Sequence, residues 1–367
     1  MKRTSRAHII VEAQTHAGMS GKNNEDRYAV TSFVLGPRDP TPVLFAILAD
    51  GIGGHKAGEV AAELAVNHIM DVVAKSDGKH TRRAIEDAVA EASNAIAAHS
   101  SKDENLKGMG STCASAWIIG DKVHTAYVGD SRIYLIRGGR IQQMTVDHTW
   151  VQEAIEKNVL TPEDAREHPN VHVIRRYLGS PVPPEPDFRM KLFNDESDQH
   201  AENNQGMQLQ PDDVLLLCSD GLTDLVWNDE ILEVIRSKPN LKEAANALIE
   251  LANSRGGHDN ITVVLISMPA DFKLNEKKKT NWLPWILGGT IGLVFIIVIA
   301  SILAVGLIRR SSTVSATATA PPPPLTFTSS PQPSPTLTPS STPEPSGLLS
   351  VPPTLTPWPT NTVVGTP

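Results

Sequence analysis

The chain reads as an α+β protein built on antiparallel sheets. Short apolar runs of β-like composition follow one another closely (28–34, 43–49, 112–119, 122–128 and 133–137), and the helical periodicities fall in pairs between them. Strand–helix alternation would argue for a parallel, doubly wound sheet, whereas this order argues for antiparallel pairing. Acidic islands at the ends of the apolar runs are the third observation. They are Asn24-Glu25-Asp26, Ala49-Asp50-Gly51, Gly129-Asp130-Ser131-Arg132, Ser219-Asp220-Gly221-Leu222-Thr223-Asp224 and His258-Asp259-Asn260. If the strand ends share one rim, the carboxylates share one place, and their repulsion is relieved only when cations fill it. Oxygen-rich sites of this kind suit hard ions such as Mg²⁺ or Mn²⁺.

The elements follow in order. Residues 58–74 carry Val60, Leu64, Ala65, Ile69 and Val72-Val73 at helical spacing. A second helix starts at Thr81, an expected N-cap, with Ile85, Val89 and Ile96 on one stripe. Thr161 before Pro162 reads as N-cap followed by first helical residue. Residues 240–255 form an amphipathic helix that Gly256-Gly257 ends. Late strands are expected at 214–218 and 261–266. The polar stretch 194–206 is expected to be a mobile hairpin insertion.

Four zones divide the 367 residues: a folded domain over 1–270, a basic linker over 271–282, a transmembrane helix over 283–308, and a disordered tail over 309–367. The run 283–308 is uncharged and almost wholly apolar, and about 20 such residues span a bilayer. Trp282 and Trp285 lie at one end, where aromatic rings prefer the interface. The tail is dominated by Pro, Thr and Ser and cannot bury a core. Lys277-Lys278-Lys279 precede the span and Arg309-Arg310 follow it, a modest bias. Residues 1–18 lack a continuous apolar stretch, so no secretory signal peptide is expected. Together these features predict a single-pass cell-membrane protein with a cytoplasmic domain and an extracellular tail. A formal net charge of −8 argues against nucleic acid as a partner. Two cysteines without a CxxC pattern argue against disulfides and structural zinc.

Five motifs, NNED, ADGIGG, GDSR, SDGLTD and HDNITVV, occur in this order from residue 23 to residue 264. Each alone suits a strand-end turn or a helix cap. Together they resemble the bacterial metal-dependent protein phosphatases of the protein phosphatase 2C type. The resemblance implies a four-layer α-β-β-α sandwich and hydrolysis of phosphoserine and phosphothreonine on proteins. It implies two Mn²⁺ or Mg²⁺ ions, with a third at a weaker site. Asp50 matches the carboxylate that bridges two ions, and the Gly51 carbonyl matches a ligand of the first. Glu25, Asp220 and Asp259 match ligands of the second. Asp130 and Asp224, with Asp220, match the third. Asp26 matches an acid behind the ligands, and Asn260 is expected to orient its neighbour. Asp50 and Asp220 carry the catalytic assignment, because a water shared by two divalent ions loses much of its proton affinity.

Two positions depart from the animal members of this family. Gly21 stands where an Arg would hold the substrate phosphate, with Lys22 beside it as a point-charge substitute. Ile52 follows Asp50-Gly51 where a His is the proposed acid, and His55 is the nearest replacement. Other phosphatase chemistries fit poorly. Cysteine-dependent enzymes need an Arg at fixed spacing, and at that spacing Cys113 meets Ile119 and Cys218 meets Asp224. Residues 147–186 resemble the flap of bacterial members, and Arg175-Arg176 within it read as a solvated pair that acidic substrates could meet. The expected partners are phosphorylated proteins, with Ser/Thr kinases and their substrates foremost, and the protein is expected to be monomeric. The alternative is a membrane-bound phosphoprotein sensor or scaffold with weak turnover.

Overall fold

The structure, a computed structural model, describes residues 1–53 and 57–272 together with Ile299. The first half of the domain comprises β1 (Lys2–Arg3), β2 (Ile10–His16), β3 (Arg27–Gly36), β4 (Asp39–Ala49), β5 (Gly51–Ile52), α1 (Gly58–Lys75), α2 (Thr81–Ser100), β6 (Gly110–Ser111), β7 (Cys113–Ile119), β8 (Lys122–Val128), β9 (Arg132–Arg137) and β10 (Arg140–Gln143). The second half comprises α3 (Trp150–Glu156), α4 (Pro162–Arg166), α5 (Asp198–Asn203), β11 (Met207–Gln208), β12 (Val214–Cys218), α6 (Asp220–Thr223), α7 (Asn228–Ser237), α8 (Leu241–Ser254) and β13 (Ile261–Ser267).

Two antiparallel sheets result, in the orders β1-β3-β4-β7-β8-β11 and β10-β9-β12-β13-β2. Their period-2 side chains explain the layering. In β4, Leu44, Ala46 and Leu48 face the second sheet, while Val43, Phe45 and Ile47 face helices α1 and α2. The central strands are therefore covered on both faces and read as continuous apolar runs. On the far side, Leu216, Val263 and Leu265 pack beneath Ile231, Leu248 and Ala252 of α7 and α8. The four-layer expectation holds for the described residues. Trp117, 1 % exposed, meets Phe45 edge-on at 5.6 Å and anchors the helix side of the first sheet.

Local signals held at several places. Thr161 Oγ1 accepts from Asp164 N at 3.1 Å, and Asn240 Oδ1 accepts from Glu243 N at 2.9 Å. Gly257, with φ of 50°, ends α8 in the left-handed region that glycine adopts at little cost. Other expectations need correction. Thr81 is the first helical residue, and the cap position is His80, which makes no side-chain cap bond. The stretch 194–206 is not a mobile hairpin. It holds α5, whose Ala201 is fully buried, and Gln205 docks it by accepting from Thr125 N at 3.0 Å and donating to Phe188 O at 2.8 Å. Strand β2 was not foreseen, and pairing with β13 from Ile10↔Ser267 to His16↔Ile261 makes it the edge of the second sheet.

Among the described residues no helix is long and apolar enough to cross a membrane. The expected span and tail lie outside the described residues apart from Ile299, and the linker does so apart from its first two positions. Replacing Trp117 by Ala is expected to cost about 3–5 kcal/mol of domain stability, since a large buried ring leaves a cavity. Urea unfolding followed by circular dichroism would measure the loss.

Candidate metal centre

Strand register brings the acidic islands to one end of both sheets. Glu25 and Asp26 precede β3 and Asp50 follows β4, and the pairing Arg27↔Ala49 sets them side by side. In the second sheet Cys218 pairs with both Arg132 and Val263, so the Asp130, Asp220 and Asp259 loops leave from the same end.

Short polar side chains hold these loops together. Asp50 N donates to Thr112 Oγ1 at 2.9 Å, Thr112 N returns a bond to Asp50 O at 2.8 Å, and Thr112 Oγ1 meets Ser131 Oγ at 2.7 Å. Asn260 Oδ1 accepts from Glu25 N at 2.6 Å, while its Nδ2 donates to Ala17 O and Asn23 O at 3.1 and 3.0 Å. Ser219 Oγ donates to Asp26 Oδ2 at 2.8 Å and accepts from Thr262 N at 3.0 Å. Gly129, with φ of 103°, turns the chain into Asp130 where a Cβ would strike the Thr112 side chain. At Gly58, the start of α1, a Cβ would press on Glu25 Oε2 and Gly51 O, both at 2.6 Å. A carboxylate oxygen and a carbonyl oxygen thus converge beside one glycine.

The electrostatics are those of an anionic cluster. Burial first, then repulsion from Asp26, Asp220, Asp130 and Asp259, pushes the Asp50 carboxyl well above its ordinary value. Burial and the neighbouring acids push Asp26 and Asp220 up to about 7. Asp130 rises for the same causes, and Glu25 rises through burial and repulsion from Glu59 and Asp259. Buried Oδ1 atoms of Asp26, Asp130 and Asp220 have no hydrogen-bond partner among the described residues. Buried acceptors without partners are costly, and a divalent cation is the species that satisfies several at once. The donor set is all oxygen apart from one imidazole, which fits Mg²⁺ or Mn²⁺.

Lys22, Glu25, Asp50, Gly51, Asp220, Asp224 and Asp259 all line one open cavity of about 1310 Å³. Asp26 and Asn260, 1 % and 4 % exposed, lie behind this wall as the sequence suggested. Asp130, 7 % exposed, does not line the cavity surface, and Asp220 is the neighbouring charge that acts on it most strongly. Donor atoms of His172, Asp220 and Asp224 lie within 4.8 Å of one another, with His172 Nδ1 at 3.5 Å from Asp224 Oδ2, so an imidazole joins two of the carboxylates expected at the third site. His55 lies outside the described residues.

Sequence reasoning missed His172 because the flap has no periodicity to place it. It also missed the flap's attachment. Arg132 of the GDSR motif grips Asp147 through Nε and Nη2, at 2.9 and 2.6 Å to Oδ2. His148 Nδ1 accepts from Gly129 N at 3.1 Å, so its proton sits on Nε2 and is donated to Asp187 at 3.2 Å. Arg175 pairs with Glu153 at 3.3 Å and Arg176 approaches Asp187 at 3.9 Å, while both side chains stay about half open to solvent, at 51 % and 49 % exposed.

A family profile described as Protein phosphatase 2C matches residues 14–262. The serine/threonine phosphatase stp of Listeria monocytogenes is 36% identical over 259 residues, covering 70% of this chain and 94% of that protein. The structure of the Streptococcus agalactiae serine/threonine phosphatase superposes with a TM-score of 0.61 at 32% identity, over 71% of this chain and 99% of that one. The catalytic domain of serine/threonine protein phosphatase PstP, solved in complex with two manganese ions, gives 0.58 at 33% identity over 71% and 98%.

Two outcomes test this geometry. Asn260→Ala leaves Glu25 N, Ala17 O and Asn23 O without their shared partner and is expected to cost about 1–3 kcal/mol or more, read by thermal unfolding. The raised carboxyls stabilise the ion-free fold below the ordinary carboxyl range, and that contribution is lost as pH rises through about 7. Mn²⁺ is therefore expected to raise the melting temperature of EDTA-treated protein more at pH 8 than at pH 5. Asp220→Asn should flatten that difference in differential scanning calorimetry.

Proposed function

This chain belongs to the protein phosphatase 2C family, and we propose that the carboxylates lining its cavity divide the work of a two-ion phosphatase centre. It is a metal-dependent serine/threonine protein phosphatase that uses Mn²⁺ or Mg²⁺. Asp50 and the Gly51 carbonyl would hold the first ion, and Glu25, Asp220 and Asp259 would join Asp50 in holding the second. Asp130, Asp220 and Asp224 would hold a third, with His172 beside the last two. The observation that carries this reading is the gathering of Glu25, Asp50, Asp220, Asp224 and Asp259 on one cavity, with the buried Oδ1 of Asp220 left without a hydrogen-bond partner among the described residues.

The ions supply an activated water and screen the phosphoryl charge during in-line displacement. The protein's own part is positional. Asn260 fixes the backbone of Glu25, and Thr112 fixes that of Asp50. Ser219 holds Asp26 behind the Asp220 loop. Lys22 faces the cavity next to Glu25 and is the point charge for the phosphate that Gly21 cannot bind. Ile52 offers no proton for the leaving oxygen.

We assign phosphoproteins of Ser/Thr kinase signalling as the substrates, and a monomer as the working form. We also assign a single membrane span at 283–308, with the domain cytoplasmic and the tail outside. The uncharged apolar run, the lysines before it and the absence of Lys and Arg after Arg310 support that assignment.

Asp220→Asn in the full chain is expected to lower Mn²⁺-dependent p-nitrophenyl phosphate hydrolysis by about a hundredfold or more, since several kcal/mol of charge stabilisation depends on the ions. Equal rates for the variant and the wild type would sink the metal assignment. Protease added to intact cells should trim the tail and spare the domain, and the reverse pattern would overturn the topology.

A further inference from the structure

The flap contributes a set of apolar side chains to the lining of the carboxylate cavity. Along α3, Val151, Gln152 and Ile155 line the cavity, the i, i+1, i+4 face of one helix. Val151 is 7 % exposed and helps seat the flap, whereas Ile155 stays partly open to the cavity. Pro162 from α4, Val171 and Ile174 from the following segment, and Leu225 beyond α6 continue the same lining. None of these four is fully buried. Apolar side chains on a helix face usually turn to a core. Here they face a cleft whose lining also carries the carboxylates.

The arginines lining the cavity are already engaged. Arg132 is committed to Asp147 at 2.6 Å. Arg166 Nη2 donates to Thr223 O at 2.8 Å, and its guanidinium lies 3.5 Å from the Trp227 ring centroid. His172 pairs with Asp224. Lys22 is exposed and is assigned above to the phosphate itself, so acidic residues beside a phosphorylated side chain would find no further lysine or arginine among the described residues lining this cavity. They would instead meet Asp147 and Asp224. The cavity, about 1310 Å³, also exceeds the roughly 300–1,000 Å³ that holds a small ligand. It has room for the chain on either side of the phosphorylated residue.

We propose that the flap wall formed by Ile155, Pro162, Val171, Ile174 and Leu225 is a specificity surface that selects phosphorylated segments with aliphatic, not acidic, side chains flanking the phosphorylated residue. This deepens the phosphatase reading above and rests on it. The phosphate sits at the carboxylate end with its ions, and an adjacent aliphatic side chain covers Ile155 and Ile174. Burying part of one such side chain is worth about five- to tenfold in binding.

The test uses the full chain with Mn²⁺ and two matched phosphothreonine peptides, one with Leu and one with Asp on both sides of the phosphothreonine. Each rate is divided by the p-nitrophenyl phosphate rate of the same preparation, so a folding defect cancels. The wild type is expected to favour the Leu peptide at least about fivefold in kcat/KM, mainly through KM. The double variant Ile155→Ser, Ile174→Ser is expected to bring the two peptides within about twofold, while Ile155→Leu keeps the preference. Equal use of the two peptides by the wild type, preference for the Asp peptide, or an unchanged preference in the double variant would overturn the proposal and leave the phosphatase reading intact. Absence of Mn²⁺-dependent hydrolysis of p-nitrophenyl phosphate by the wild type would overturn both.

Discussion

Repulsion among carboxylates packed at one end of two sheets is the constraint on which this domain turns. Glu25, Asp26, Asp50, Asp130 and Asp220 all retain protons more tightly than ordinary carboxyls, and burial is the first cause in each. Such a cluster holds its shape only if something other than the carboxylates fixes the backbone. Thr112, Ser131, Ser219 and Asn260 do this with uncharged hydrogen bonds, adding no cation that would compete for the ligands. The sandwich supplies the rest, since the register of β3 with β4 and of β12 with its neighbours decides which islands meet.

The flap is governed by a different economy of charge. Its Arg132–Asp147 pair and the chain Gly129–His148–Asp187–Arg189 are partly or wholly buried and geometrically complete. Bonds from His148 and Arg189 hold the Asp187 carboxyl well below the usual range despite its burial. Charge in this region therefore serves attachment. The aliphatic side chains that the flap presents to the cleft stand beside cations already bound elsewhere, Arg132 to Asp147 and Arg166 to Thr223.

Much of this was legible in the sequence, and the failures have physical reasons. The central strands announced themselves because both faces are buried, as in 43–49 and 214–218. The cap at Thr161 was legible because capping is local chemistry. Strand β2 was missed because an edge strand alternates weakly, and its identity comes from a partner at the far end of the domain. Helix α5 was missed because a single buried residue, Ala201, and the Gln205 side chain stabilise a segment whose composition is that of a loop. The carboxylates were found through motif order, whereas His172 came to Asp220 and Asp224 only through the tertiary course of the flap.

The pairing of β2 with β13 bears on how the enzyme comes into being. The strand that opens the second sheet has no partner until the last strand is available, and Asn260 then reaches back 235 residues to hold Glu25. A chain emerging from the ribosome carries Glu25, Asp50, Asp130 and Asp220 well before the residue that orients the first of them. Loop closure over such a distance is slow compared with local folding. The growing polypeptide is therefore catalytically silent for almost the whole of its domain's synthesis, and phosphatase activity arrives in a single step, when the domain's two ends meet.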